Sequence, residues 1–452
     1  MIRSWLRFNL APLAVAAGPL SLLLGCGGAR GAGSDAADAG HHEPSGGDAA
    51  RLDGPQGTGD VGASAEAGSK DAAPEDAPGD VQFAADPCIA ADTCPPGTWI
   101  NVTPPSINLA NTYGFGSVDV DPARPQDVYT LGAGVGVWKS TDYGFTWNGP
   151  INTGMNGSLL NDCSYLRLPL NSTATPPTLY MSCIGGDGPG FWRSTNGGVD
   201  WTNYNVDPAA PGAYGQQFYA PAVDPYNVNH LLMAVHLSDM IVESMDGGQT
   251  WTAINLDPGM LMGGGGVYSI SFVDTGTPVM GRSSTWLCIG SEYVAKAVGT
   301  WRTTNAGASW TQVETNLHPP GASQIYQQGA NGDVYMAGNE STNGDGIFRS
   351  TDDGATWTHV GETDTQEKVA FGTSRHLYAM YTGVAALPST TPVYSPNMQI
   401  SDTTGLAWTA GTTPAAMAQG PTWAAVTHDG TYNVIVTANY GAGLWRYVEP
   451  TN

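Results

Sequence analysis

One stretch of eight residues, written six times, constrains this chain more than any other feature. It reads STDYGFTW at 140–147, STNGGVDW at 194–201, SMDGGQTW at 244–251, TTNAGASW at 303–310, STDDGATW at 350–357 and, in a worn copy, SDTTGLAW at 401–408. A fixed period of about fifty residues marks a chain built from stacked units that cannot bury their apolar faces alone. Each copy has the same surroundings. A short strand ending in an aromatic and often a base precedes it (GVWKS, GFWRS, GTWRT, GIFRS), and another precedes that (DVYTLG, TLYMSC, HLLMAV, DVYMAG). A further strand opens on the box tryptophan (WTNYNV, WTAINL, WTQVET), and a first strand shows as GSVDVDP, YAPAVDP and VYSISFV. Four short strands per unit with turn chemistry between them predict the blades of a β-propeller.

The box reads as the hairpin turn between third and fourth strands. Asp352 can accept backbone N–H groups across the turn, and Gly354 can take a positive φ that other residues resist. Trp357 then enters the blade packing, where its area is worth several kcal/mol at roughly 25 cal/mol per Å². The same structural roles fall to Asp142, Asn196, Asp246 and Asn305, and to Trp147, Trp201, Trp251, Trp310 and Trp408. Thr403 replaces the acceptor at the sixth box, so that turn is expected to be looser.

Six boxes give six blades. A seventh third strand, GLWRY at 443–447, has no box after it, whereas TWINVTP at 98–104 resembles a post-box strand with no blade of its own. Pairing these two closes a ring of seven blades and leaves neither end of the chain as a bare sheet edge. The expected fold is therefore all-β, a single seven-bladed propeller of four-stranded blades closed by an N-terminal strand.

Composition bears on partners. With 16 Lys+Arg against 40 Asp+Glu and a formal net charge of −24, no nucleic-acid surface is expected, because phosphate neutralisation needs clustered cations. Residues 1–25 carry Arg3, Arg7 and the apolar run LAPLAVAAGPLSLLL, the organisation of a secretory signal. The ending Leu23-Leu24-Gly25-Cys26 resembles the lipobox of bacterial lipoproteins, which implies lipid attachment at Cys26 and passage to the outer membrane or cell surface. Residues 26–86 are Gly, Ala, Asp, Ser and Pro with hardly a large apolar side chain, and read as a disordered acidic tether. The propeller then occupies 87–452, touching the membrane only through the anchor. Cys88 and Cys94 can close a small loop, and Cys163 and Cys183 fall opposite each other if their strands form a hairpin. Both pairs read as disulfides of an oxidising compartment. Cys288 is left over as a buried thiol.

The boxes resemble the Asp-box, or bacterial neuraminidase repeat, of sialidases, xyloglucan hydrolases, sortilin-type receptors and plastid photosystem-assembly factors, over nearly all of 97–452. That resemblance implies a structural role for the box and a ligand face opposite it. Loops expected there carry Asp187, Glu292, Tyr293, Glu340 and Asp345, and the links between blades add Tyr214, Tyr219 and His318. Asp187, Asp345, Glu340 and Glu292 are the candidates for a glycosidase acid and base pair. Asp187 and Asp345 each precede a third strand in a setting resembling the Gly-flanked aspartates of xyloglucan hydrolases. Tyr214, Tyr219, Tyr293 and His318 are the candidates for ligand contact. Xyloglucan hydrolases place their cleft between two propellers, and this chain has residues for one. The Phe-Arg-Ile-Pro signature of sialidases is absent, and Lys139, Arg193, Arg302, Arg349 and Arg446 share one repeat position, which makes them structural. No metal site or cofactor is expected. The expected function is binding of a glycan or an envelope or extracellular protein by a monomeric propeller; the alternative is a glycoside hydrolase.

Overall fold

A computed structural model describes residues 83–450, apart from 113, 161–162, 164, 170–171, 184–189, 207–216, 237, 239, 257–259, 261–266, 291–298, 315–316, 319–324, 328–330, 341–343, 362–366, 373–375, 382–396, 418–420 and 422. Seven antiparallel sheets follow one another along the chain and form the seven-bladed propeller. The first blade is Gly114–Val120, Val128–Ala133 and Gly136–Ser140, and the second is Tyr165–Arg167, Leu179–Cys183, Gly190–Ser194 and Thr202–Tyr204. Blade three holds Ala222–Val223, Leu231–Ala234, Ile241–Ser244 and Thr252–Ile254; blade four holds Val267–Phe272, Trp286–Gly290, Thr300–Thr303 and Thr311–Glu314. Blade five runs Ile325–Gln327, Val334–Glu340, Gly344–Ser350 and Thr358–His359, with Leu317–His318 pairing as a fifth segment. Blade six is Glu367–Gly372, His376–Tyr381, Asn397–Asp402 and Trp408–Gly411.

Blade seven takes Trp423–His428, Asn433–Ala438 and Leu444–Val448 from the end of the chain and Trp99–Asn101 from its beginning. The closing register is Trp99↔Tyr447, Ile100↔Arg446 and Asn101↔Trp445. This is the closure that the unpaired third strand calls for. Blade one departs from the four-strand expectation. Its fourth strand shrinks to the bridge Lys139↔Asn148, because Pro150 has no N–H to continue a ladder. The edge is covered all the same: Ile151 N donates to Val137 O (2.8 Å), and Val137 N donates to Asn152 Oδ1 (3.0 Å).

Second strands such as Val128–Ala133 and Asn433–Ala438 are buried at every position. A strand packed by neighbouring blades on both faces needs apolar or small residues throughout, so it shows no in–out alternation. The disulfides Cys88–Cys94 and Cys163–Cys183 are both formed, and Cys288 is free and buried, its thiol pushed up by that burial.

At the first box, Ser140 Oγ donates to Asp142 Oδ1 (2.7 Å) and accepts from Gly144 N (2.8 Å), while Asp142 Oδ1 also accepts from Thr146 N (2.8 Å). The set recurs at Ser244, Asp246 and Thr250 and at Ser350, Asp352 and Thr356. Asn196 and Asn305 accept in the same positions. Two successive residues take positive φ, as at Asp353 (57°) and Gly354 (81°), the pattern of the tight primed hairpin turns. A Cβ on Gly354 would lie 2.6 Å from Leu287 Cδ2, so this glycine is needed for both conformation and space. At the sixth box, Ser401 Oγ has no partner, and Asp402 takes over by accepting from Thr404 N (2.9 Å). Only Gly405 is left-handed there, and Trp408 stays half-buried.

Three of the bases at the repeat position at the end of a third strand act between blades. Arg193 Nη1 donates to Gly247 O (3.5 Å), Arg302 Nε to Asp353 O (2.8 Å) and Arg446 Nε to Tyr143 O (3.0 Å). In each case the acceptor is the carbonyl of the first left-handed residue in the next box around the ring. Arg446 makes this contact from the blade that lacks a box, onto blade one. Arg349, whose next box is the worn one, pairs with Asp333 instead (2.6 Å), and Lys139 pairs with Asp127 (2.7 Å).

Candidate functional site

In an antiparallel blade, the loop between second and third strands lies at the opposite end from the box turn. The candidate positions are expected at that end. Asp187, Glu292, Tyr293 and Tyr214 lie outside the described residues, as does Cys26. Backbone pairing brings three others together on blade five: His318 pairs with Asn339, Asn339 with Asp345, and Glu340 with both Leu317 and Gly344. Sequence separation had left His318 far from the other two, because only the extra Leu317–His318 segment carries it onto that sheet.

Tyr219 is described in full and is 5% exposed. Its ring lies 6.5 Å from that of Tyr165 and 5.3 Å, edge-on, from that of His236. His236 Nδ1 is 2.9 Å from Gln217 Oε1, and burial pulls the imidazole below its ordinary value. Tyr165 in turn lies 6.1 Å from Trp423, and the Arg167 guanidinium sits over the Trp423 ring at 5.0 Å. Trp423 belongs to the innermost strand of blade seven, whereas Tyr165 and Arg167 belong to that of blade two. With blade one between them, these side chains meet across the centre of the ring. Asp119, on the innermost strand of blade one, completes the group: its Oδ2 is 3.7 Å from Arg167 Nη1 and accepts from Leu168 N (2.9 Å). Burial pushes the Asp119 carboxyl up, against the opposing pull of Arg167 and of two backbone N–H groups.

A run of tilted rings and one ion pair, in which Asp119 is buried and Arg167 partly exposed, thus ties blades seven, one, two and three together. Sequence reading passed over Trp423 and His236 because each lies in a strand-like stretch with no motif around it. No group of three or more His, Cys, Asp or Glu with metal-binding geometry occurs among the described residues.

No protein-family model matches the chain. The xyloglucanase Xgh74A of Acetivibrio thermocellus is 26% identical over 298 residues, which cover 55% of this chain and 32% of that enzyme. The chain therefore spans about a third of the length of that curated relative. Among solved structures, the GH74 xyloglucanase of Xanthomonas campestris superposes with a TM-score of 0.56 at 16% identity, over 77% of this chain and 53% of that one. An ancestral GH74 enzyme does so with a TM-score of 0.51 at 16% identity, over 76% and 45% respectively. At that identity the two structures speak for the fold.

Proposed function

We propose that this propeller binds a glycan on the face opposite the box turns and does not itself cleave it. The observation that carries the reading is the similarity to a xyloglucanase over 298 residues, held by a chain that forms one ring of seven blades. A retaining or inverting glycosidase needs two carboxyl groups about 5–10 Å apart across the bond to be broken. We further infer export and anchoring through Cys26, a reading supported by the Leu-Leu-Gly-Cys ending and by two disulfides that suit an oxidising compartment. The boxes, on this reading, are Asp-boxes whose work is structural.

The second reading is hydrolysis by Asp187 and Asp345, favoured by the names of the relatives. One experiment separates the two. Residues 83–452 are incubated with xyloglucan, mixed-linkage glucan and xylan, and retention in glycan-containing gels is measured beside reducing-end release. Retention without release is the expected result. Release that vanishes in Asp187→Ala or Asp345→Ala would establish the hydrolase.

A further inference from the structure

Tyr440 sits in the loop between second and third strands of blade seven, on the face opposite the boxes. It combines three features that packing alone does not require. Its side chain is 42% exposed. The other exposed large apolar side chains among the described residues lie elsewhere: Phe83, Val199, Met245, Val279, Met280 and Leu406 are on the box face, and Met155 is in a link that pairs with the second box. Second, its backbone has φ 44°, a left-handed conformation that a bulky residue enters at a cost. Third, that conformation is clamped. Tyr440 N donates to Phe115 O (2.9 Å), Phe115 N donates back to Tyr440 O (3.3 Å), and Gly443 N also donates to Tyr440 O (3.0 Å). Gly114 presses so closely that a Cβ there would lie 2.1 Å from the Tyr440 carbonyl oxygen.

Glycine or asparagine would occupy this position without strain. A tyrosine held here by hydrogen bonds from the neighbouring blade, with its ring partly exposed while its hydroxyl end lies among enough protein for burial to push its pKa up, is stability given up for a recessed surface. Strained backbone that its surroundings enforce points to function.

We propose that Tyr440 is a stacking platform for a pyranose ring of the glycan, a proposal that rests on the binding function above. The axial C–H groups of a β-linked glucan present an apolar face that an aromatic ring covers without needing any charge. An uncharged contact also suits a chain of formal net charge −24, which would repel a polyanion.

The strain makes the proposal separable from a structural role. Tyr440→Gly removes the ring and relieves the backbone, whereas Tyr440→Phe keeps the ring. Binding of xyloglucan oligosaccharides is titrated calorimetrically for both variants and the unaltered protein, and thermal midpoints are recorded alongside. The expected result is a loss of affinity of about tenfold or more in Tyr440→Gly, with a midpoint that holds or rises, and affinity within about twofold of the unaltered protein in Tyr440→Phe. Unchanged affinity in Tyr440→Gly overturns the proposal while leaving glycan binding intact. A midpoint lowered by several degrees also overturns it, since the ring would then be packing. If the unaltered protein binds no glycan, the function above falls and takes this proposal with it.

Discussion

His230 is closed off from water between two carboxylates. Its Nδ1 lies 2.6 Å from Asp224 Oδ2 and its Nε2 lies 2.9 Å from Glu243 Oε1, and its ring packs edge-on against Phe272 at 4.7 Å. Arg282, 3.7 Å from Glu243, is the other charge facing the group. Burial pulls the imidazole pKa down, but the hydrogen bonds and charges of Asp224 and Glu243 outweigh it, and the net direction is up. A group whose folded pKa exceeds its unfolded value of about 6.5 stabilises fully below that value, and the contribution is lost as pH rises through the folded pKa. The urea midpoint should therefore fall as pH rises above about 6.5, and His230→Gln should flatten that slope while costing about 1–3 kcal/mol at the acid end. A slope that survives the substitution would assign it to another group. At this scale sequence reading found the box acidic residues, because an Asx acceptor beside glycine has one common use. It missed the box serine as the second organising side chain, since a hydroxyl that serves two partners looks like any other serine. It missed His230 altogether: Asp224, His230 and Glu243 become neighbours only when the strands pair.

The pre-box arginines join element to element. Four strands with a tight turn make a blade, but a blade must also be set against the next, and the carbonyl exposed by the left-handed turn residue supplies a fixed acceptor for the preceding blade's base. Arg446 carries the largest share. It is 0% exposed, reaches Tyr143 O, and pairs with the equally buried Asp86, which caps the short helix Pro87–Ala90. Burial lowers the Arg446 pKa and raises that of Asp86, each against the pull of the other, as expected for charges removed from water together. Arg446→Gln should cost about 3–5 kcal/mol in urea unfolding, because it leaves Asp86 buried and unpaired. Asp86→Asn combined with Arg446→Gln should cost clearly less than the two single losses added. Additive losses would mean that the pair is not coupled. The repeat position of these arginines was legible, and so was their structural character. Their acceptors were not, because those lie 54 and 51 residues away on the following blade for Arg193 and Arg302, and 303 residues away across the ring closure for Arg446.

For the whole molecule, the ring depends on a strand of three residues, Trp99–Asn101, held by Leu444–Val448 and pinned upstream by the Cys88–Cys94 loop. Loop entropy alone assigns that disulfide about 2 kcal/mol. Replacing both cysteines by serine should lower stability by about that amount or more, and amide exchange should quicken in 99–101 and 444–448 before it does in blade three. Exchange that quickens evenly around the ring would show that closure is not the weak seam. The number of blades, their strand order and the pairing of the two chain ends were all decided in the sequence, because a repeat writes its local turn chemistry at every copy and a missing strand at one end requires its complement at the other. The meeting of Trp423, Tyr165, Arg167 and Asp119, the clamp that strains Tyr440, and the meeting of His318 with the Glu340–Asp345 hairpin were decided only by tertiary structure. Each depends on residues from different blades, or from different segments of one blade, and their distance is set by the curvature of the ring and the register of its strands, which no local pattern records.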